Sequence, residues 1–196
     1  MFTVGITGGI ATGKSLATDF FAAKDIDIID ADKISRSLQE PGQEGYEAIV
    51  KKLGDAVLSE DKTIIRSELR TLAFSNKDTK KWLEDLMHPM IGQKVLESFE
   101  QAKSKWTIYS APLWSEKNKF DRIMVIDAPK ALQIQRIIKR DQSSVELAEQ
   151  IVDQQLHRNQ RAGFADDFLM NDSTIESFEG KLDFYFNLYN RLADGS

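Results

Sequence analysis

Five short apolar segments recur along the chain, and helical patterns separate them. The first covers residues 2–7 (FTVGIT), and the others cover residues 26–30, 106–111, 122–127 and 167–171. Buried parallel strands form short, nearly continuous apolar runs of this kind. Because strands alternate with helices, the pattern predicts an α/β fold with a five-stranded parallel sheet.

The stretch between the second and third segments is far longer than a crossover between parallel strands requires. Its apolar residues have helical spacing, as in Leu69, Leu72 and Ala73, and again in Leu83, Leu86 and Met87. We therefore expect residues 33–104 to form an inserted helical substrate domain. Pro41, Gly42 and Gly45 indicate a loop early in it, and Pro89 indicates a break between two helices.

Residues 8–15 (GGIATGKS) match the phosphate-binding loop pattern G-x-x-x-x-G-K-[ST], directly after the first apolar segment. Glycines let the backbone N–H groups of such a loop converge on a polyphosphate. Lys14 would reach the β and γ phosphates, and the Ser15 hydroxyl would bind Mg²⁺. We expect the nucleotide to bind Gly8, Gly9, Ala11, Thr12, Gly13, Lys14, Ser15 and Leu16.

The composition of the chain excludes several kinds of functional site. The chain has 196 residues, a formal net charge of -5, no cysteine and two histidines, His88 and His157. Disulfides, thiolate zinc sites and cysteine nucleophiles are excluded, so a metal must bind oxygen ligands. The negative charge argues against a nucleic-acid partner. Without a signal peptide or an apolar stretch near the ~18 residues of a membrane span, we expect a cytoplasmic protein with no membrane partner.

A second group of charges follows the fourth apolar segment. Arg136 and Arg140 share one helix face, and Ser143 with Glu146 resembles a capping box that opens a helix running toward Arg161. We expect residues 133–163 to form a helical lid whose arginines, Arg158 included, reach the transferring phosphoryl group. The alternative is a solvated pair of charged helices.

Two carboxylates end the second apolar segment, at the sheet edge where α/β proteins bind ligands. One of Asp30 and Asp32 could orient or deprotonate an acceptor hydroxyl, and the other could hold Mg²⁺. Asp32 could instead cap a helix that begins at Lys33. Asp127, at the end of the fourth segment, is a rival metal ligand; we rank it lower because sequence does not show which strand lies beside the phosphate loop.

Several motifs occur together and in order along nearly the whole chain. They are residues 8–15, residues 28–32 (IIDAD), residues 88–91 (HPMI), Pro112-Leu113 with Glu116, Gln133 with Arg136 and Arg140-Asp141, Gln154, and residues 165–167 (ADD) before Asn171. In this combination the chain resembles dephospho-CoA kinases. The phosphate loop occurs in many families, but IIDAD with HPMI is specific.

The resemblance implies ATP-dependent phosphorylation of the ribose 3′-hydroxyl of dephospho-CoA, the last step of coenzyme A biosynthesis. Asp32 would then be the catalytic base, and Lys14 and Arg140 would stabilise the phosphoryl group. Arg140 and Asn171 would flank the adenine of ATP. The acceptor would contact the insertion and, at its edges, Asp30, His88, Pro112, Leu113 and Glu116.

The resemblance also implies a three-layer arrangement. Residues 1–32, 105–132 and 164–196 would form the nucleotide-binding core, residues 33–104 the acceptor domain and residues 133–163 the lid, in a monomer or weak oligomer. Lys24-Asp25 and Trp114-Ser115 depart from the usual family pattern. The second departure lies where the acceptor is expected. His88 could also serve only to order a turn.

Other functions share parts of this pattern. Residues 118–121 (NKFD) match the guanine motif of GTPases, but they precede a strand instead of following one, and no Asp stands three residues before a Gly. A nucleotide-binding regulatory module would need neither the carboxylate pair nor the arginines. A nucleoside monophosphate kinase would share every feature except those of the family resemblance, and is the nearest alternative.

Overall fold

A five-stranded parallel sheet organises the protein, which we describe from a computed structural model covering residues 1–111 and 120–195. The strands are β1 (Phe2–Gly8), β2 (Asp27–Asp30), β3 (Trp106–Ser110), β4 (Arg122–Asp127) and β5 (Asp167–Met170). Their order in the sheet is β2-β3-β1-β4-β5. The five predicted strands are confirmed to within a residue at nearly every end.

The central position of β1 explains where a ligand can bind. Gly8, its last residue, pairs with Ile126 of β4, and Ile6 pairs with Ser110 of β3. The connection from β1 leads to β2 on one side of it, whereas the connection from its neighbour β4 leads to β5 on the other side. This is the switch point at which open α/β sheets form a crevice beyond their carboxyl ends.

The chain folds into two compact units. The first unit consists of Met1–Ile29 and Ala102–Ser196, and the second of Asp30–Gln101. The first unit contains helices α1 (Lys14–Ala22), α6 (Lys130–Asp141), α7 (Val145–Asp153), α8 (Arg158–Ala162) and α9 (Ile175–Asp194). Its core lies between the sheet and helices α1 and α9, with the largest buried rings being those of Phe21, Trp106, Phe178 and Tyr189.

A polar network joins α9 to the amino ends of β4 and β5, at the edge of the sheet opposite the phosphate loop. Arg122 donates two hydrogen bonds to the buried Asp167 carboxylate, at 2.7 and 2.9 Å, and the Tyr189 hydroxyl donates a third at 2.7 Å. Burial raises the pKa of Tyr189, and the neighbouring Asp167 carboxylate adds to the effect. The hydroxyl therefore stays a donor, and Asp167 is satisfied without water.

The second unit is helical. It contains α2 (Ala31–Ser37), α3 (Glu44–Leu53), a 3₁₀ turn (Gly54–Val57), α4 (Arg66–Ser75) and α5 (Lys77–Gln101). Its own core consists of Leu38, Ile49, Val57, Leu69 and Met87. The predicted break at Pro89 is wrong, because α5 continues through this residue. Pro89 is exposed, so the carbonyl that loses its N–H partner there lies on a face that water can reach.

Candidate active site

The phosphate loop is shaped by two glycines and a threonine. A Cβ on Gly8 would lie 2.5 Å from the carbonyl oxygen of Ile126, so any side chain there would force β1 and β4 apart. Gly13 has φ 104°, which favours glycine, and it caps the amino end of α1. The buried Thr12 hydroxyl donates to the Gly9 carbonyl at 2.8 Å and closes the loop on itself.

Arg136 and Asn171 hold this loop from the side. Arg136 donates to the carbonyl of Ala11 at 3.1 Å, and the Asn171 side-chain amide donates to the carbonyl of Thr12 at 2.8 Å. Arg136 also contacts the backbone and side-chain oxygens of Asn171, both at 3.3 Å. Because the loop carbonyls are bound from outside, the N–H groups of the loop can face a ligand.

Lys14 and Ser15 begin α1, where helix geometry leaves backbone N–H groups unpaired and favours anions. The Lys14 ammonium donates to the hydroxyl of Ser110 at 2.8 Å. Ser110 is fully buried and ends β3, the strand next to the loop. Ser15 is exposed. A lysine and a hydroxyl thus stand at the same helix start, as the motif predicts.

A glutamine from the predicted lid already binds the phosphate loop. Gln155 follows α7, and its side-chain oxygen accepts a 2.8 Å hydrogen bond from the N–H of Ile10. Its neighbour Gln154, which carries part of the family resemblance, is exposed. Gln155 was missed by the sequence analysis, because two adjacent glutamines give no signal as to which one faces the loop.

The lid segment differs from expectation in its details. The side chain that caps α7 is Ser144, which accepts from the N–H of Leu147, so the assignment of this role to Ser143 is wrong. The helix also ends before Arg161, since the chain turns after Asp153 and starts the separate helix α8. One residue of register decides which serine oxygen reaches the third N–H of the helix.

Arg140 lies at the end of α6, with its side chain 58% exposed. It forms two hydrogen bonds with the carboxylate of Asp141, both 2.7 Å long. This pairing raises the pKa of Arg140 and lowers the pKa of Asp141. The guanidinium is therefore held by its neighbour in sequence, and must exchange this carboxylate for a ligand in order to act on a phosphate.

Asp127 ends β4 directly beside the phosphate loop. Its side chain is 1% exposed and pairs with two arginines of α8, Arg158 and Arg161. From the sequence we rank Asp127 low because its strand cannot be placed beside the phosphate loop. The structure shows that β4 is a direct neighbour of β1, so this reason no longer applies. The carboxylate nevertheless faces guanidinium groups, which are competitors of a metal ion.

The two carboxylates at the start of the second unit, Asp30 and Asp32, have different positions and contacts. Asp30 caps α2, because its Oδ1 accepts from the N–H groups of Asp32 and Lys33 at 2.9 and 3.1 Å. The alternative in which Asp32 caps a helix starting at Lys33 is therefore wrong. The helix starts two residues earlier, and Asp32 lies half-buried in its first turn.

The remaining predicted acceptor residues are distributed as follows. His88 is exposed in the middle of α5, so the alternative role of ordering a turn is wrong, since no turn occurs there. Pro112, Leu113 and Glu116 lie outside the described residues.

Asp121 of the guanine-motif match accepts a hydrogen bond from the backbone N–H of Thr3 at 2.7 Å, near the start of β1. It therefore lies at the edge of the sheet opposite the phosphate loop.

Comparison with known proteins identifies the family. The family model for dephospho-CoA kinase matches residues 2–177. The chain belongs to the dephospho-CoA kinase family. A dephospho-CoA kinase of Coxiella burnetii is 40% identical over 179 residues, which are 89% of this chain and 90% of that protein. One of Idiomarina loihiensis is 43% identical over 178 residues, 89% of this chain and 88% of that protein.

A solved structure supports the fold. The dephospho-CoA kinase of Campylobacter jejuni superposes with a TM-score of 0.65 at 26% identity, covering 95% of this chain and 96% of that one. Both the resemblance read from the sequence and the α/β kinase fold are thus confirmed. In the part of the chain that the structure describes, no helix is long and apolar enough to cross a membrane.

The Mg²⁺ ion that the sequence leads us to expect would need oxygen ligands near the phosphate loop. No group of three or more acidic or histidine side chains in residues 1–111 and 120–195 could hold a metal by itself. This fits Mg²⁺, which keeps several waters and binds one or two protein ligands together with substrate phosphates. The exposed Ser15 hydroxyl at the start of α1 suits such a site.

Proposed function

We propose that this chain transfers the γ-phosphoryl group of ATP to the ribose 3′-hydroxyl of dephospho-CoA, forming coenzyme A and ADP. Family membership over residues 2–177 is the observation that carries this assignment. The phosphate loop, with Lys14 at the start of α1, supplies the ATP half of the reaction. The comparisons do not favour the nucleoside monophosphate kinase alternative.

Lys14 is the first catalytic residue of the proposal. Phosphoryl transfer asks little covalent chemistry of the protein, so its main task is to position the reactants and stabilise charge. Lys14 can leave Ser110 and bind the β and γ phosphates, while the N–H groups of residues 8–16 bind the remaining oxygens. Ser15 would hold Mg²⁺ together with the phosphates, and the ion would neutralise charge on them.

Asp32 is the proposed base. It would accept or orient the proton of the 3′-hydroxyl as that oxygen attacks phosphorus in line with the departing ADP oxygen. Its position supports this role, because the helix cap is supplied by Asp30 and the Asp32 carboxylate is not used there. Asp30, His88, Pro112, Leu113 and Glu116 are proposed to contact the acceptor.

Arg140 and Asn171 are proposed to lie against the adenine, and Arg140 also to stabilise the phosphoryl group. For Asn171, the support is its position: it is buried and bound to the phosphate loop through Thr12. For Arg140, it is a planar, permanently charged group at the end of a lid helix, which can stack on a base or bind a phosphate in a bidentate manner.

The product identifies the reaction. Incubation of the purified protein with Mg²⁺, ATP and dephospho-CoA should give a new phosphomonoester on the ribose 3′ oxygen, visible by ³¹P NMR and as one added phosphate in the mass spectrum. A phosphate added elsewhere on the acceptor, or no added phosphate, would refute the proposal. A Lys14→Ala protein should lose at least ~10²-fold in kcat, which makes it the negative control.

A further inference from the structure

A buried arginine lies beside the phosphate loop and has no place in the family-based set of catalytic residues. Arg161 belongs to α8, and its side chain is only 9% exposed. One of its terminal nitrogens lies 3.5 Å from Oδ1 of Asp127, the carboxylate that ends β4. Arginine is almost never this buried unless it is paired.

Asp127 binds a second arginine in a different setting. Arg158 pairs with the other carboxylate oxygen, Oδ2, but its side chain is 44% exposed. The two arginines therefore share one carboxylate, one of them buried and the other at the surface.

The guanidinium of Arg161 lies against the loop itself. A Cβ placed on Gly9 would be 3.0 Å from Nη2 of Arg161, and 3.1 and 3.2 Å from the amide oxygens of Gln155 and Gln133. Three polar side chains from the lid segment thus converge on a loop residue that has no side chain. Gly9 leaves the space in which they meet the loop backbone.

Some polar atoms of this cluster are unused. Among the described residues of the cluster, one donor, Nε–H of Arg161, and two acceptors, Oε1 of Gln133 and Oδ1 of Asp127, are buried without a hydrogen-bond partner. Only the donor can bind a phosphate oxygen directly. Most buried polar atoms in proteins are paired, and exceptions concentrate where a ligand or water is to bind. Lys14, Arg158 and Arg161 together outweigh Asp127 by two positive charges, so the ligand that suits the cluster is a polyphosphate.

We propose that Arg161 is a phosphate-binding catalytic residue and that Asp127 is a positioning residue that acts through it. The ion pair with Asp127, together with a hydrogen bond from Nη1 of Arg161 to the Leu156 carbonyl, holds the buried guanidinium against the phosphate loop. Its free Nε–H can there donate to a phosphate oxygen of ATP. Arg140, in contrast, is exposed and paired with Asp141. This inference rests on the proposed function only in requiring ATP as the ligand.

Four variants test the assignment of Arg161. Arg161→Lys keeps the charge but loses the planar fork, so kcat should fall at least tenfold while the KM for dephospho-CoA stays within threefold. In Arg161→Ala, kcat should fall at least a hundredfold and should recover in part when millimolar guanidinium chloride is added. Arg191→Ala and Arg191→Lys change an exposed arginine of α9 and are the controls; both should stay within threefold of the unaltered enzyme.

A double-mutant cycle tests the role of Asp127. Asp127→Asn alone should lower kcat about tenfold, but in the Arg161→Ala background it should add less than threefold, because the residue through which it acts is gone. Thermal unfolding of each variant shows whether it is folded. If Arg161→Ala does not fold, Arg161→Lys and calorimetric titration of that variant with Mg²⁺·ATP still decide the question.

Three results would overturn the inference: normal kcat and ATP affinity in Arg161→Lys; equal losses in Arg191→Ala and Arg161→Ala; or an undiminished loss from Asp127→Asn in the Arg161→Ala background. The last would give Asp127 a role of its own, such as metal binding. Failure of the unaltered enzyme to phosphorylate dephospho-CoA would instead refute the proposed function, and the ATP titrations would still test Arg161.

Discussion

The polar side chains around the phosphate loop differ in which atoms of the loop they bind. Arg136 and Asn171 donate to its carbonyl groups and so determine its shape. Gln155 accepts from one of its N–H groups, which is a position that a phosphate oxygen can take. Lys14 points to Ser110 and not to the loop backbone. Shape and ligand binding therefore depend on different residues.

The most specific prediction for a single residue concerns Asp32. In Asp32→Asn the side chain keeps its size but cannot take a proton, so we expect kcat to fall ~10²-fold or more while the Kd of ATP changes only a few-fold. Steady-state kinetics and calorimetric titration measure the two quantities. Asp127→Asn should do less harm; the reverse order would move the essential carboxylate to the end of β4.

At the scale of elements, the link between α7 and α8 is where the lid segment touches the loop. Gln155 lies in this link and Arg161 in α8, and both side chains face Gly9. The sequence pattern predicts one continuous helix there. In the structure the chain turns after Asp153, and the hydrogen bond of Gln155 to the loop is a tertiary contact that can override the local helical preference.

Gln155→Glu tests this contact through charge. A carboxylate beside the N–H of Ile10 would repel the phosphates of ATP, so we expect the Kd of ATP to rise at least tenfold, and less at high salt. Gln154→Glu makes the same charge change one residue earlier, on an exposed side chain, and should leave the Kd within about twofold. Equal effects of the two variants would mean that Gln155 does not face the phosphates.

Asp27 ties the start of β2 to the turn before β3, and it should make stability depend on pH. Its carboxylate accepts from the N–H groups of Lys103 and Ser104 at 2.6 and 2.8 Å. The hydrogen bond from Ser104 contributes most to lowering the pKa of Asp27 below the usual value of 3.8. A lowered pKa stabilises the fold above the unfolded-state value and loses this effect as pH falls through the folded-state value.

Urea unfolding between pH 6 and pH 2.5 measures this dependence. The unfolding free energy of the unaltered protein should fall more steeply below about pH 4 than that of Asp27→Asn, whose side chain does not titrate. Asp25→Asn, an exposed change nearby, is the control and should follow the unaltered protein. Parallel curves for the unaltered protein and Asp27→Asn would show that the hydrogen bonds do not favour the charged form.

For the whole molecule, apolar patterning predicts the sheet because buried parallel strands are continuous apolar runs, and residues 2–7 and 122–127 are clear examples. Strand order is not local information, so the adjacency of Asp127 to the phosphate loop could not be predicted. The pairing of Arg161 with Asp127 depends on that adjacency. The phosphate loop itself was predictable, because its chemistry lies in one continuous segment.

The lid proposal concerns a segment within the first unit. If residues 133–163 close over the nucleotide, their backbone amides should exchange with deuterium several-fold more slowly when an ATP analogue and dephospho-CoA are both present. Helix α9, which packs in the core, should show no comparable change and serves as the internal control. Exchange in residues 133–163 that ligands leave unaltered would reduce the segment to a fixed part of the domain.

The choice of acceptor distinguishes phosphorylation of dephospho-CoA from the activity of a nucleoside monophosphate kinase. We would measure ADP release from ATP with dephospho-CoA, with each common nucleoside monophosphate and without acceptor, at equal enzyme concentrations. We expect kcat/KM for dephospho-CoA to exceed that for any nucleoside monophosphate by at least ~10³-fold, and ADP release without acceptor to be slow. A nucleoside monophosphate that matches or exceeds dephospho-CoA, or equal ADP release with no acceptor, would contradict the proposed function.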